Sequence, residues 1–266
     1  MKKLSLLAAT FVAIAFAACG GKKAQVTDEG TDSEKSFEQQ QIEASIKMHF
    51  DSIAAEIGKL PQLPFVQEGN GGLALTKEEK QVKPDYLLDP KIADEATTLA
   101  EKYRALSALN VDKKIANLYE LPTDEYDKAL AKLAADVNDP SFKDFKNDGT
   151  IETTTILYDK MEKNGRINQF WQLAAASLVE ELYVINQNAD KFLSIFNDEA
   201  VDNVTFRIVL ILDAVNRLAQ YDPEIAPVAE VISPLEVINA TSVAELKSQL
   251  EEVKDEIAAA REALIE

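Results

Sequence analysis

Residues 166–187 read RINQFWQLAAASLVEELYVINQ. At about 100° per residue, Ile167, Trp171, Ala174, Leu178, Leu182 and Ile185 fall on one arc, the mark of an α-helix. It is the most apolar helical stretch of the chain beyond its leader. Ala174, Ala175 and Ala176 leave room for a second helix to approach closely. Two carboxylates, Glu180 and Glu181, interrupt it. A helix of this kind needs neighbours on most sides, so the stretch predicts a bundle and places itself near the middle.

The neighbours can be read outward from it. Residues 205–221 are again apolar nearly all round, with Phe206, Ile208, Val209, Leu210, Ile211 and Leu212, and are expected inside the bundle. Arg207 interrupts them as the glutamates interrupt the first stretch. In the last helix, Val243, Leu246, Leu250, Val253, Ile257, Ala260 and Leu264 are spaced three, four, three, four, three and four, a seven-residue repeat with a narrow seam. Ser242 and Glu245 form its capping box. That seam predicts packing within the chain, against the first helix, or against a second copy.

The first helix is expected over Phe37–Gly58, opened by Ser36 and Gln39 and lined by Ile42, Ile46, Phe50, Ile53 and Ile57. Asp89-Pro90 opens a helix with Ile92, Ala96, Leu99, Tyr103 and Leu106 along one side. A shorter one follows from Asp112 to Glu120. Thr123 caps another carrying Tyr126, Leu130, Leu133 and Val137, and Thr150 another that stops at Asn164-Gly165. Residues 59–90 contain Pro61, Pro64, Gly69, Gly71, Gly72 and Pro84 and predict a long loop covering the core through Leu63, Phe65, Leu73 and Leu75. Gly and Pro number only nine each in 266 residues, and the strong helix formers dominate. No stretch alternates as a strand would, apart from Thr153–Leu157, which fits a helix equally well. The expectation is an all-α, irregular multi-helix bundle with one long Pro/Gly-containing loop.

The front end has a different logic. Lys2 and Lys3 precede Leu4–Phe16, an uncharged run too short to span a bilayer core of about 30 Å as a helix. Ala17, Ala18 and Cys19 follow. A basic start, a short apolar run and small residues form the layout of an export signal. Phe16-Ala17-Ala18-Cys19 resembles the lipobox of bacterial lipoproteins, with Phe where Leu is usual. That resemblance implies a diacylglyceryl thioether on Cys19, cleavage before it, and acylation of the new amino group. Cys19 is the one cysteine of the chain, so no internal disulfide is available. The expected organisation is a signal peptide at 1–18, a polar tether at 19–36 and one helical domain at 37–266. Gly20 follows the cysteine where an Asp holds many lipoproteins in the inner membrane, and this favours the outer membrane.

The chain carries 28 basic and 46 acidic side chains, a net charge of −18. Loss of residues 1–18 removes two lysines and leaves −20. Such a surface repels nucleic acid. It also resists adsorption to anionic lipid heads, so attachment to a membrane falls to the lipid on Cys19.

Three segments, Tyr86-Leu87-Leu88-Asp89-Pro90, Leu106-Ser107-Ala108-Leu109-Asn110-Val111 and Leu178-Val179-Glu180-Glu181-Leu182-Tyr183, resemble a family of uncharacterised all-helical lipoproteins of Bacteroidetes. The likeness spans roughly Tyr86–Leu264. In that family the last motif usually has Trp where Leu178 stands and Ser where Glu181 stands. The resemblance implies lipidation and a helical fold and brings no activity. Asp51-Ser52-Ile53 also resembles the O-glycosylation site those bacteria use, which makes Ser52 a candidate.

Chemistry is sparse. His49 is the one histidine and lies on the apolar stripe of the first helix, where it reads as a semi-buried structural residue. One histidine and a lipidated cysteine supply no nucleophile–base pair and no zinc set. Asp144, Asp148 and Gly149 are a poor calcium loop, with Lys146 at a ligand position and Thr155 where the bidentate Glu belongs. No metal or other cofactor is expected. A carboxylate kept from water needs a partner, so Arg207 is expected to pair with Glu180 or Glu181 in a structural role. These observations predict a non-catalytic binding or scaffolding module of the cell envelope with a protein or glycan partner. Two alternatives are a carrier of a small apolar ligand, which needs an enclosed apolar cavity, and a glycan-cleaving enzyme, which needs two acids about 5–10 Å apart in a cleft.

Overall fold

The computed structural model describes residues 37–61, 63–66, 72–142 and 151–265. Among them no strand forms, and the α-helices run in the order α1 (Phe37–Ile57), α2 (Lys77–Lys80), α3 (Ile92–Glu95), α4 (Leu99–Leu118), α5 (Asp124–Val137), α6 (Ile151–Lys163), α7 (Ile167–Gln187), α8 (Ala189–Phe192), α9 (Asp198–Leu218), α10 (Ala226–Ile232), α11 (Val243–Glu252) and α12 (Lys254–Leu264). The all-α irregular bundle expected from periodicity is what the chain forms. Residues 42–266 make one compact unit.

Helix α7 is its hub. Fourteen of its 21 residues are buried, so it has no continuous solvent face. Helix α4 lies along it in the most extensive contact of the unit, and α12, α9, α6, α10 and α11 pack around the rest. One end of α7 carries an aromatic cluster. Trp171 meets Phe50 of α1 at 6.1 Å between ring centroids, Phe170 at 5.1 Å and Tyr158 of α6 at 6.3 Å. Edge-on contacts of this kind add to the burial of the rings. Arg104 of α4 binds the same hub from the side, donating to Gln172 Oε1 at 2.7 Å and to the Leu264 carbonyl at 2.6 Å.

The structure departs from the periodicity at three places. Helix α9 begins at Asp198, where Asn197 accepts from the Ala200 amide, and it is one-sided. Val201, Val204, Ile208, Ile211, Leu212 and Val215 face the core, while Phe206 is 42% and Val209 50% exposed. Its apolar outer residues hid a seam at spacings of three and four that is all the packing uses. The helix expected from Asp89-Pro90 is two elements. Helix α3 ends after one turn at Ala96, which is extended, and Thr98 with Glu101 forms a capping box that starts α4. Helix α4 then runs unbroken through Asn110 and Asp112 to Leu118, because nothing in that stretch stops a helix. The last helix is broken at Val253 (φ −104°, ψ 22°) into α11 and α12. A straight helix drifts about 20° per heptad from a strict seven-residue repeat. The break resets that drift, so Leu246, Leu250, Val253, Ile257, Ala260 and Leu264 are all buried. Their principal partner is α7 of the same chain.

The loop at 59–90 is a cover. Leu63, Phe65 and Leu73 are buried and Leu75 is half-buried. Phe65 meets Phe192 at 5.2 Å, and the short helix α2 is opened by the Thr76–Glu79 capping box. The calcium-like residues Asp144, Asp148 and Gly149 lie outside the described residues, as do residues 1–36.

Gly58, at the end of α1, is a close approach. A Cβ there would lie 2.1 Å from Thr155 Oγ1 of α6 and 3.2 Å from the Ala54 carbonyl. Overpacking of this kind costs about 1–3 kcal/mol. Gly58→Ala is expected to lower stability by that amount in chemical unfolding, and Thr155→Ala in the same chain to restore most of it. Equal stability of the single variant and the parent would show that α1 and α6 are not in this contact.

Candidate functional site

Glu180 sits near the middle of α7 and is fully buried. Its partner is Arg261 of α12. The guanidinium donates from Nε to Glu180 Oε2 at 2.8 Å and from Nη2 to Oε1 at 3.1 Å. It also lies 4.1 Å from the ring centroid of Tyr183, one turn along α7. This two-point fork on a carboxylate, backed by an aromatic face, is the strongest geometry an arginine offers.

A second carboxyl joins the pair. Asp112 of α4 is also fully buried. Its Oδ2 accepts the Leu88 amide at 2.6 Å. Its Oδ1 meets no N–H or O–H donor, and the Glu180 carboxyl is near enough to act on it. Two buried carboxylates beside one guanidinium leave a net charge unless one of them keeps its proton. Burial pushes the Asp112 carboxyl well above the usual range, and the charge on Glu180 pushes the same way. The Leu88 amide and Arg261 oppose them. With one proton kept by the two acids and one charge on Arg261, the cluster is neutral, which is the state a buried site favours.

The cluster holds down an irregular strap, residues 84–90, bracketed by Pro84 and Pro90. A segment without a ladder must give its backbone polar groups to side chains or water. Here Leu88 N–H goes to Asp112, the Leu88 carbonyl accepts from Tyr126 Oη of α5 at 3.0 Å, and the Tyr86 carbonyl accepts from Arg261 Nη2 at 2.9 Å. The outer side of the strap forms one wall of a groove of about 710 Å³. Its other wall is the end of α4 and the start of α5, from Ala116 to Lys128. Leu88, Ala116 and Tyr126 form a buried floor. The rim carries Lys83, Asp85, Asp89, Lys91, Asp124, Glu125 and Lys128.

The structure therefore places the predicted site residues as follows. Glu180 has the buried partner it needs, but that partner is Arg261 and not Arg207. Arg207 is half-buried on α9, its Nε shielded from solvent, and its Nη2 donates to the Pro61 carbonyl at 2.6 Å. Among the described residues it closes no ion pair. Glu181 is 8% exposed. Burial raises its carboxyl above the usual range, opposed by the fields of Arg207 and Lys114. Ser52 is exposed on α1, between Asp51, which accepts from Tyr158 Oη at 3.0 Å, and buried Ile53. His49 is half-buried and pairs with Asp213 at 2.8 Å. Cys19 lies outside the described residues. Among those described, no group of three or more His, Cys, Asp or Glu is placed to hold a metal ion.

Asp112 and Arg261 were not singled out by sequence. The available signal was a charge at helical spacing from apolar residues, Asp112 between Leu109 and Ile115 and Arg261 between Ile257 and Leu264. No family model matches the chain, and comparison with curated proteins and with solved structures finds no match.

The protonation has a defined sign. A carboxyl raised in the folded state contributes stability that is complete below its unfolded value of about 3.9 and is lost as pH climbs through the folded value. Asp112→Asn keeps an acceptor for Leu88 and supplies a donor to Glu180. It is expected to match the parent near pH 4 and to gain on it by up to about 1.4 kcal/mol per pH unit above that, until the folded value is passed. Arg261→Met strands the buried carboxylate and is expected to lose about 3–5 kcal/mol. Urea unfolding across pH reads both, and an Asp112→Asn loss as large as that of Arg261→Met would refute the retained proton.

Proposed function

We propose that the chain is a lipid-anchored, non-catalytic binding module of the cell envelope that presents the groove between the strap and α5 to a protein partner. The anchor rests on the N-terminal sequence: two lysines, an apolar run, Ala17, Ala18, and the chain's one cysteine at the position where a lipobox has it. No helix among the described residues is long and apolar enough to cross a membrane, so a lipid supplies the attachment in this reading. The Gly after Cys19 favours the outer membrane, and the resemblance to helical lipoproteins points the same way as the anchor.

The single observation that carries the binding role is the groove's rim. Seven of its fifteen lining residues are charged, with both signs interspersed. That pattern suits the mixed charges of a polypeptide. A sugar is commonly held by stacking on an open aromatic ring, whereas Tyr126 of the groove is 8% exposed and its hydroxyl is already engaged. Neither alternative role gains support from the site. The groove is open and charged, unlike the cavity a carrier of apolar ligands needs. Asp112 and Glu180 are both fully buried, so no sugar can enter between them.

Two measurements test the reading. Intact mass of native material is expected to show a mature chain beginning at an acylated Cys19, and Cys19→Ser to leave residues 1–18 attached. A photo-crosslinker at Asp85, Asp124 or Lys128 is expected to capture a protein in living envelopes, while the same probe at Phe206 on α9 captures none. An unmodified thiol removes the anchor. Equal capture from both faces, or capture of glycan only, removes the groove as a protein site.

A further inference from the structure

We infer that residues 84–90 are a proton-gated strap, held shut while one of the two buried acids, Asp112 and Glu180, keeps its proton, and that its opening reshapes one wall of the groove. The inference adds regulation to the partner surface proposed above and rests on that reading only for its use. The geometry of the strap stands by itself.

The end of the strap runs into α3, whose Ile92 and Ala93 amides donate to the Asp89 and Pro90 carbonyls. Its middle is fastened by three bonds from the charge cluster or its border: Asp112 to the Leu88 amide, Arg261 to the Tyr86 carbonyl, and Tyr126 to the Leu88 carbonyl. Loss of that proton puts two negative charges beside one guanidinium in a fully buried site. The excess charge must then be hydrated. Water has two routes to Asp112, between α4 and α7 or under the strap. The first would part the most extensive helix contact of the unit. The second lifts seven residues that have no helix or ladder of their own. The strap is therefore the element that yields, exposing Leu88, which is 4% exposed when it is shut.

No other group around Asp112 takes over the titration. Helix α7 contributes Glu180, and Tyr183 beneath Arg261; α12 contributes Arg261; α5 contributes Tyr126. The strap contributes Tyr86, with Asp85 and Asp89 on its outer side, and Tyr119 follows directly on the end of α4. Burial raises the Tyr86 and Tyr126 hydroxyls further above their usual range, and the charge on Asp112 does the same. They remain protonated donors or bystanders while the acid pair titrates. Asp89 is held ionised by the Lys91 amide. Histidine is absent from the cluster, so the switch belongs to the carboxyl pair.

Hydrogen exchange on the full chain tests this, read at the Leu88 amide or a peptide covering 84–91 and corrected for the intrinsic pH dependence of exchange. Opening linked to one proton is expected to grow about tenfold per pH unit across the range where the pair titrates. In Asp112→Asn the corrected rate is expected to be flat, with the strap still protected. A flat corrected profile in the parent overturns the strap, and so does exchange of Ile167–Gln187 in step with it, which would mean the whole unit opens. Either failure leaves the crosslinking result intact, whereas failure of crosslinking with a pH-dependent strap rejects the partner surface alone.

Discussion

A charge placed in the middle of a helix with no solvent face sets the terms for this fold. Helix α7 is covered on nearly every side, and Glu180 lies where water cannot follow it. Such a carboxylate must find a cation and fill its remaining acceptor sites, or it opposes folding by several kcal/mol. The answer comes from three other places in the chain. Arg261 closes a two-point pair from α12, Asp112 brings a proton from α4, and the strap supplies the backbone groups that satisfy both. The apolar packing is compatible with several arrangements of helices around α7. The charge cluster has one geometry, and it fixes the register of α4, α7 and α12 together.

The contributors lie far apart in sequence, at 86–88, 112, 180 and 261, so the cluster exists only when the whole unit is assembled. That gives the final helix pair a task beyond its seam.

Much of the fold was legible in residue spacing. The central helix, the first helix with Gly58 behind it, and the stop at Asn164-Gly165 follow from apolar periodicity and from the few residues that break helices. Two kinds of feature were not. Helix boundaries inside continuous helix-forming sequence depend on caps, and the Thr98–Glu101 box was present but lay inside a stretch that already looked helical. Pairing between distant charges depends on tertiary geometry. Sequence showed that Glu180 needed a partner and offered Arg207 because it interrupts another apolar run. Arg207 reaches the Pro61 carbonyl instead, while Arg261 reaches inward from the leucine-rich seam of the final helix pair. The groove was not legible either, since its walls come from a loop and two helix ends.

The proton-gated strap and the neutrality of the buried cluster both lean on the claim that one proton stays with Asp112 and Glu180. Carboxyl carbon NMR of the full chain, labelled at Asp and Glu and assigned with Asp112→Asn, reads that proton without perturbing the cluster. The account predicts one buried carboxyl whose shift stays at the protonated value well above pH 5 and whose titration is coupled to that of its neighbour. Both carboxyls ionising near pH 4, independently and like the surface acids, would contradict it.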